Sequence, residues 1–279
     1  MNQMLSSSIV ASGSPLAMAR SFVSNRVLIY QLAKREVISR YRGSLMGLAW
    51  SFFNPLLMLA VYTFVFSVVF NARWGVDTAH KGDFAIILFA GILVHGIFAE
   101  CVNRAPTLIV GNASYVKRVV FPLETLPWVA MGAALFHALV SLAVLLLAQL
   151  FIRGTLPVTV IYLPLVLFPL VMLTMGLAWM LSALGVFVRD IGQMTGILTT
   201  ILLFLAPVFY PVTSLPEGLR RWIYLNPLTF IIEQTRNVLI WGIAPDFVGL
   251  FKYIVFAAFL AWLGYLCFQK LRRGFADVI

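Results

Sequence analysis

The sequence predicts an all-α integral membrane protein: six transmembrane helices, an interfacial amphipathic helix ahead of them, and a re-entrant helical pair between spans five and six. Composition is the first reason. At 62% hydrophobic, 14% aromatic and 11% charged, the 279 residues hold too little polar surface to cover a soluble globule. The second is the length of the apolar runs, since a helix crossing a hydrocarbon core of roughly 30 Å takes about 20 residues. The third is that these runs do not alternate as the strands of a membrane barrel would.

Residues 1–21 read as a disordered cytoplasmic lead. They have no basic residue before Arg20, and serines, glycine and proline interrupt their apolar residues, unlike a secretion signal. From 22 to 42 the residues Val23, Val27, Tyr30, Val37 and Tyr41 recur at helical spacing, with Lys34 falling on the stripe. That suits a helix in the headgroup boundary whose basic side chains reach outward. Gly43 and Gly47 let the chain turn into the six-span region, 43–279, and Trp50 sits where an interfacial anchor would.

The predicted spans are about 46–70, 84–102, 126–152, 158–188, 191–212 and 253–268. Pro55 in the first removes a backbone donor and predicts a kink, and the neighbouring Asn54 faces either the freed carbonyl, a partner helix or a polar lumen. Between spans five and six, about 220–243, two short apolar pieces are broken by Asn226, Pro227, Glu233 and Arg236. They read as re-entrant half helices lining something wet, or as a surface-lying amphipathic helix.

Six spans put both termini on one side. That side collects Arg20, Arg26, Lys34, Arg35, Arg40, Arg42, Arg104, Lys117, Arg118, Arg189, Lys270, Arg272 and Arg273, and the other collects only seven basic residues. The positive-inside rule then makes the termini cytoplasmic, and the net charge of +10 is a topology signal with an attraction to anionic lipid, not a sign of nucleic acid. Cys101 and Cys267 fall near cytoplasmic span ends, where thiols stay reduced. Glu100 and Arg104, four apart, suggest a local helix pair. His95 and His137, each alone on an apolar span, suggest helix-to-helix hydrogen bonds, and neither has a second ligand at metal spacing.

Four segments in order, "RYRGSLMGLAWSFFNPLL", "NASYVKRVVFPLETLP", "GVFVRDIGQ" and "PVFYPVTSLPEGLRRWIYLNPLTFIIEQTRN", resemble the permease subunits of type-2 ATP-binding-cassette exporters, especially those of O-antigen and teichoic-acid polysaccharides. The resemblance covers about 27–273. It implies a homodimeric permease in the bacterial inner membrane, assembled with two copies of a cytoplasmic nucleotide-binding ATPase, which would hold ATP and magnesium. It also implies that a lipid-linked polysaccharide is translocated to the periplasmic side. The chain has no G-x-x-x-x-G-K-[ST] phosphate loop, so a pump built from it needs such a partner, and no cofactor is expected in the chain itself. Another glycolipid, teichoic acid or a drug as cargo is the alternative.

The resemblance makes the amino-terminal helix and the loop after span two the elements that rest on the ATPase. Lys34, Arg35, Arg40 and Arg42 belong to the first, and Asn112, Tyr115, Lys117, Arg118, Phe121 and Pro122 to the second. An apolar anchor with a charged rim suits docking, while a short helix holding the loop to the headgroups is the plainer reading. For the substrate path, span one offers Phe52, Asn54, Tyr62, Phe66 and Phe70, with Thr63 on the same side. Span five offers Thr195, Thr199, Phe209 and Tyr210. Rings interspersed with hydroxyls suit sugars, though such stripes also serve lipid contact or packing. Glu217, Arg220, Arg221, Asn226, Pro227, Glu233 and Arg236 would form a periplasmic gate, its arginines meeting a lipid diphosphate or the nearby acids. A membrane transferase would need paired acids that Asp77, Asp83 and Glu217 do not supply. A secondary transporter would show internal repeats and coupling residues.

Overall fold

The structure, a computed structural model, describes residues 13–70, 74, 82–117 and 121–279. Among them every regular element is helical. Ser14 starts the first helix by accepting a hydrogen bond from Ala17 N at 3.2 Å, with Pro15 at the first helical position, where its missing donor is no loss. This gives α1 (Pro15–Ser24), so the expected disordered lead is corrected from residue 15 onward, the Ser-Pro pair being a helix start, while its residues 1–12 lie outside the described residues. Trp262 Nε1 ties the chain down by donating to Gly13 O at 2.8 Å. Asn25 then breaks the expected 22–42 helix, and α2 (Arg26–Tyr41) follows.

Gly43 and Gly47, at φ 85° and 52°, turn the chain from α2 into α3 (Trp50–Tyr62), a conformation that favours glycine. Pro55 lies inside α3, which continues as a π-helix, Thr63–Val69. Only Pro55 and Leu59 of α3 are buried, so most of this apolar helix has no protein against it. In contrast α4 (Asp83–Arg104) is buried on nearly every side and forms the middle of the bundle. A short α5 (Ala113–Val116) precedes α6 (Leu126–Arg153) and α7 (Leu163–Phe187).

Among the described residues five helical stretches are long and apolar enough to cross a membrane: Gly47–Val69, Asp83–Thr107, Leu123–Arg153, Val158–Phe187 and Phe247–Val278. The sixth apolar helix, α8 (Ile191–Leu205), has 15 residues. At 1.5 Å per residue that is about 22 Å, short of a roughly 30 Å core. The expected 191–212 span is therefore helical only in its first two thirds. Ala206 turns extended at ψ 152° ahead of Pro207, which disfavours helix in the residue before it. Beyond the break come α9 (Glu217–Ile223) and α10 (Pro227–Arg236), then a π-helix, Asn237–Trp241. Packing of α10 against α4 and α7 buries Leu228, Ile231, Ile232 and Arg236, which excludes a surface-lying helix for this segment. The last long helix, α11 (Phe247–Leu271), is capped by Asp246 and followed by α12 (Phe275–Val278).

Ion pairs mark the two ends of the bundle. At the end carrying α9 and α10, here the distal end, Arg153 Nε donates to Asp83 Oδ1 at 2.8 Å. At the proximal end, where α1, α2 and α12 pack, Arg272 bonds Glu124 Oε2 at 2.8 Å and Trp179 Nε1 donates to the Glu124 carbonyl. The tightest seam is between α7 and α11. A Cβ built on Gly264 would sit 1.9 Å from Gly176 O, and one on Gly176 would sit 2.6 Å from Leu260 O. Such close backbone approach is how helices associate where lipid removes the hydrophobic drive.

Candidate functional site

At the proximal end α2 is wired into the bundle through charged groups. Glu36 pairs with Arg104 at the end of α4, and Arg40 NH1 donates to Glu100 Oε1 at 2.7 Å. His137 on α6 meets the same carboxylate at 2.9 Å through Nδ1, while its Nε2 lies 3.1 Å from Tyr41 Oη. One acid thus joins α2, α4 and α6. The expected Glu100–Arg104 helix pair does not form, because each partner turns to α2 instead. The signal for this was the Glu36 and Arg40 spacing of four on α2, which matches Glu100 and Arg104 in antiparallel sense. His137 does bridge helices as expected, and so does His95, whose Nε2 lies 2.9 Å from Thr199 O on α8.

Glu100→Gln keeps the shape of this junction but removes the charge. Hydrogen bonds to charged groups contribute about 1.5–3 kcal/mol, so amides of α2 should exchange about tenfold faster or more, read by hydrogen exchange of the purified protein.

Beside this junction lies a cavity of about 250 Å³ between α3, α4 and α6, lined by Asn54, Tyr62, Ser51, Ser141 and His137 among others. Two of the expected channel residues, Asn54 and Tyr62, therefore line this cavity, Asn54 exposed at it and Tyr62 half-buried. The Asn54 side chain makes no hydrogen bond among the described residues. Thr195 and Thr199 are each 3% exposed, and Thr199 Oγ1 donates to Asn103 Oδ1 at 3.1 Å. Thr195 Oγ1 donates to Gly192 O of its own helix, so both hydroxyls are spent inside this chain. Asn103, which sequence reasoning missed, has no motif around it. Phe66 and Phe209 do come together from different helices, their rings 6.3 Å apart, with Phe84 stacked on Phe66 at 5.3 Å. Tyr210 Oη turns back to Phe204 O, and Phe52 and Phe70 lie exposed on the outside of the bundle.

The docking candidates divide. Arg35 donates to Tyr115 Oη at 3.0 Å, and the Tyr115 ring stacks on Phe121 at 4.3 Å, so the amino-terminal helix and the 112–122 loop meet. Lys117 and Arg42 are exposed beside them, and Lys34 is exposed on the α2 face turned to α6. Arg118 lies outside the described residues. Asn112 donates to Leu108 O, and Arg40, though exposed, spends NH1 on Glu100, so both are tied to the bundle. Pro122 precedes the 3-10 turn leading into α6.

At the distal end Asn226 caps α10 by accepting from Leu228 N at 2.9 Å while its amide donates to Leu202 O of α8. Pro227 occupies the first helical position and its carbonyl accepts from Tyr253 Oη at 2.6 Å. The carbonyls of the Asn237–Trp241 π-helix are met by three side chains: Thr159 to Val238, Gln149 to Leu239 and Arg153 to Ile240. Irregular backbone in such surroundings persists only where protein satisfies it.

Arg236 departs most from its expected role. It is 4% exposed, and its guanidinium donates to Ile87 O, Pro207 O and Val208 O, with the Trp74 ring 4.3 Å from its central carbon. It therefore cannot reach a lipid diphosphate; it locks the break after α8 to α4 and α10. Gly91 makes the room, since a Cβ there would lie 2.9 Å from Arg236 NH2. Arg220 likewise spends its donors on Leu215 O and Thr213 O. Glu217 and Arg221 are exposed around a surface cleft. Glu233 accepts from Tyr224 Oη at 2.9 Å, and burial pushes its carboxyl above the usual range against the opposing pull of Tyr224 and Arg236.

Residues 27–240, an unbroken stretch from α2 through the distal π-helix, match the ABC-2 type transporter family. The chain belongs to that family. An ABC-2 type transporter chain is thus built here around a charged proximal junction and a distal break locked by one arginine. Over 131 residues it is 29% identical to the O-antigen export system permease protein RfbA of Myxococcus xanthus, covering 47% of this chain and 48% of that relative. Over 130 residues it is 26% identical to a protein of the same name from Klebsiella pneumoniae, covering 47% of each. The chain thus spans about half the length of the curated relatives it matches.

Proposed function

We propose that this ABC-2 type transporter chain is the membrane permease of an ATP-driven exporter that moves a lipid-linked polysaccharide of O-antigen type outward across the bacterial inner membrane. It works as a homodimer with two copies of a separate cytoplasmic ATPase, which supplies ATP and magnesium chemistry. The proximal end, with both termini, faces that partner. The observation that carries this reading is the meeting of α2 with the 112–122 loop through Arg35, Tyr115 and Phe121, beside exposed Lys117. A push on that composite surface reaches α4 and α6 through Glu36, Arg40, Glu100 and His137. The names of the relatives support the substrate class.

The polymer path runs between the exposed faces of α3 and α8, one pair from each protomer. Gly43 and Gly47 let α3 swing relative to the α2–α4–α6 body, into the polar cavity beside it. Replacing Lys117 and Arg118 with glutamate is expected to abolish stimulation of the partner's ATP hydrolysis in the reconstituted complex, with the permease still folded. Undiminished stimulation would remove the docking assignment. Purification from the native membrane should bring down a soluble ATPase in equal amount.

A further inference from the structure

At the distal end, between the segment after α8 and the π-helix, lies a cavity of about 550 Å³ that the lock on Arg236 does not explain. Two indoles line it, Trp74 and Trp241, and each has an arginine against its ring: Arg236 over Trp74 at 4.3 Å and Arg153 over Trp241 at 5.6 Å. Those arginines are themselves anchored, Arg236 by three carbonyls and Arg153 by Asp83 and Ile240 O. One face of each indole is thus braced by an anchored arginine. Among the described residues the side chains of Asn237 and Thr213, also in the wall, have no hydrogen-bond partner, and Glu233 uses one carboxyl oxygen on Tyr224.

We infer that this cavity is a saccharide-binding subsite, taking one or two pyranose units on the Trp241 and Trp74 rings with hydroxyls hydrogen-bonded to Glu233, Asn237 and Thr213. Flat rings match the C–H face of a sugar, and neutral amide and hydroxyl groups beside a single carboxylate match its hydroxyls. Among the described residues at the cavity, Arg236 and Arg153 already spend their charges on carbonyls and on Asp83, which favours a neutral hydroxyl-bearing ligand over a phosphate. A braced platform also lowers the ordering entropy of binding. The subsite rests on the export reading and gives the emerging chain a foothold at the distal end, separate from the α3 and α8 faces.

Saturation-transfer NMR tests it, with the full permease–ATPase complex in nanodiscs and short oligosaccharides cut from the host's own surface polysaccharide as probe. The native complex should transfer saturation to the ring protons of the sugar. Trp241→Leu should weaken binding by about tenfold and Trp241→Phe should largely keep it. Glu233→Gln, which retains shape and a hydrogen-bonding group, guards against loss through misfolding and should weaken binding less than Trp241→Leu. No transfer to the native complex, or equal transfer to Trp241→Leu, would overturn the subsite and leave export untouched. Polysaccharide that still reaches the surface in cells lacking this chain would overturn the export reading itself.

Discussion

Arg236→Met is expected to destabilise the protein by about 3 kcal/mol and to stop export, because it leaves the carbonyls of Ile87, Pro207 and Val208 buried without a donor. Methionine fills much of the same space, so the loss reports the missing hydrogen bonds and not a void. Arg236→Lys should fall between, since an ammonium keeps the charge but lacks the planar fork that reaches three oxygens. Denaturant unfolding in detergent, followed by tryptophan fluorescence, gives the number directly. A loss below about 1 kcal/mol would mean that the 206–208 break is held by something other than Arg236. Gly91→Ala approaches the same lock from α4 and should loosen it in proportion to how far the guanidinium must move.

The second large effect is expected at the seam between α7 and α11. Gly264→Leu puts side-chain atoms where Gly176 O stands, so the helices must separate along the packed line that holds α11 to the bundle. Overpacking of this kind costs about 3 kcal/mol, and in a bilayer no hydrophobic drive restores the contact. The expected outcome is a protein that inserts but loses its compact form on gel filtration and becomes sensitive to protease near residues 272–279. Gly96→Ala is the control: nothing lies within 4 Å of a Cβ there, so the variant should behave as the native chain. Unchanged behaviour of Gly264→Leu would show that the seam is not needed.

Much of this was readable in the residues because it follows from solvent and periodicity. Apolar runs long enough for the bilayer identify the crossing helices, and Asn226 and Pro227 read as an interruption, which the structure makes the start of α10. His95 and His137 read as bridges because a polar ring on an apolar helix must find a partner. What escaped were partners distant in sequence. Glu100 looked committed to Arg104 four residues away, yet Arg40 and Glu36 lie closer in space.

The sequence by itself determined that the chain is helical and membrane-embedded and that a polar break follows the fifth apolar run, since each depends on local composition and on the apolar solvent. Only the tertiary structure decided which way the polar side chains point. Thr199 turns to Asn103 of α4, Asn54 lines a cavity beside α3, and Arg236 turns from a gate's surface into its lock. The reason is physical: inside a bilayer an unmet donor or acceptor is costly, and the group that meets it comes from whichever helix the packing brings within about 3 Å.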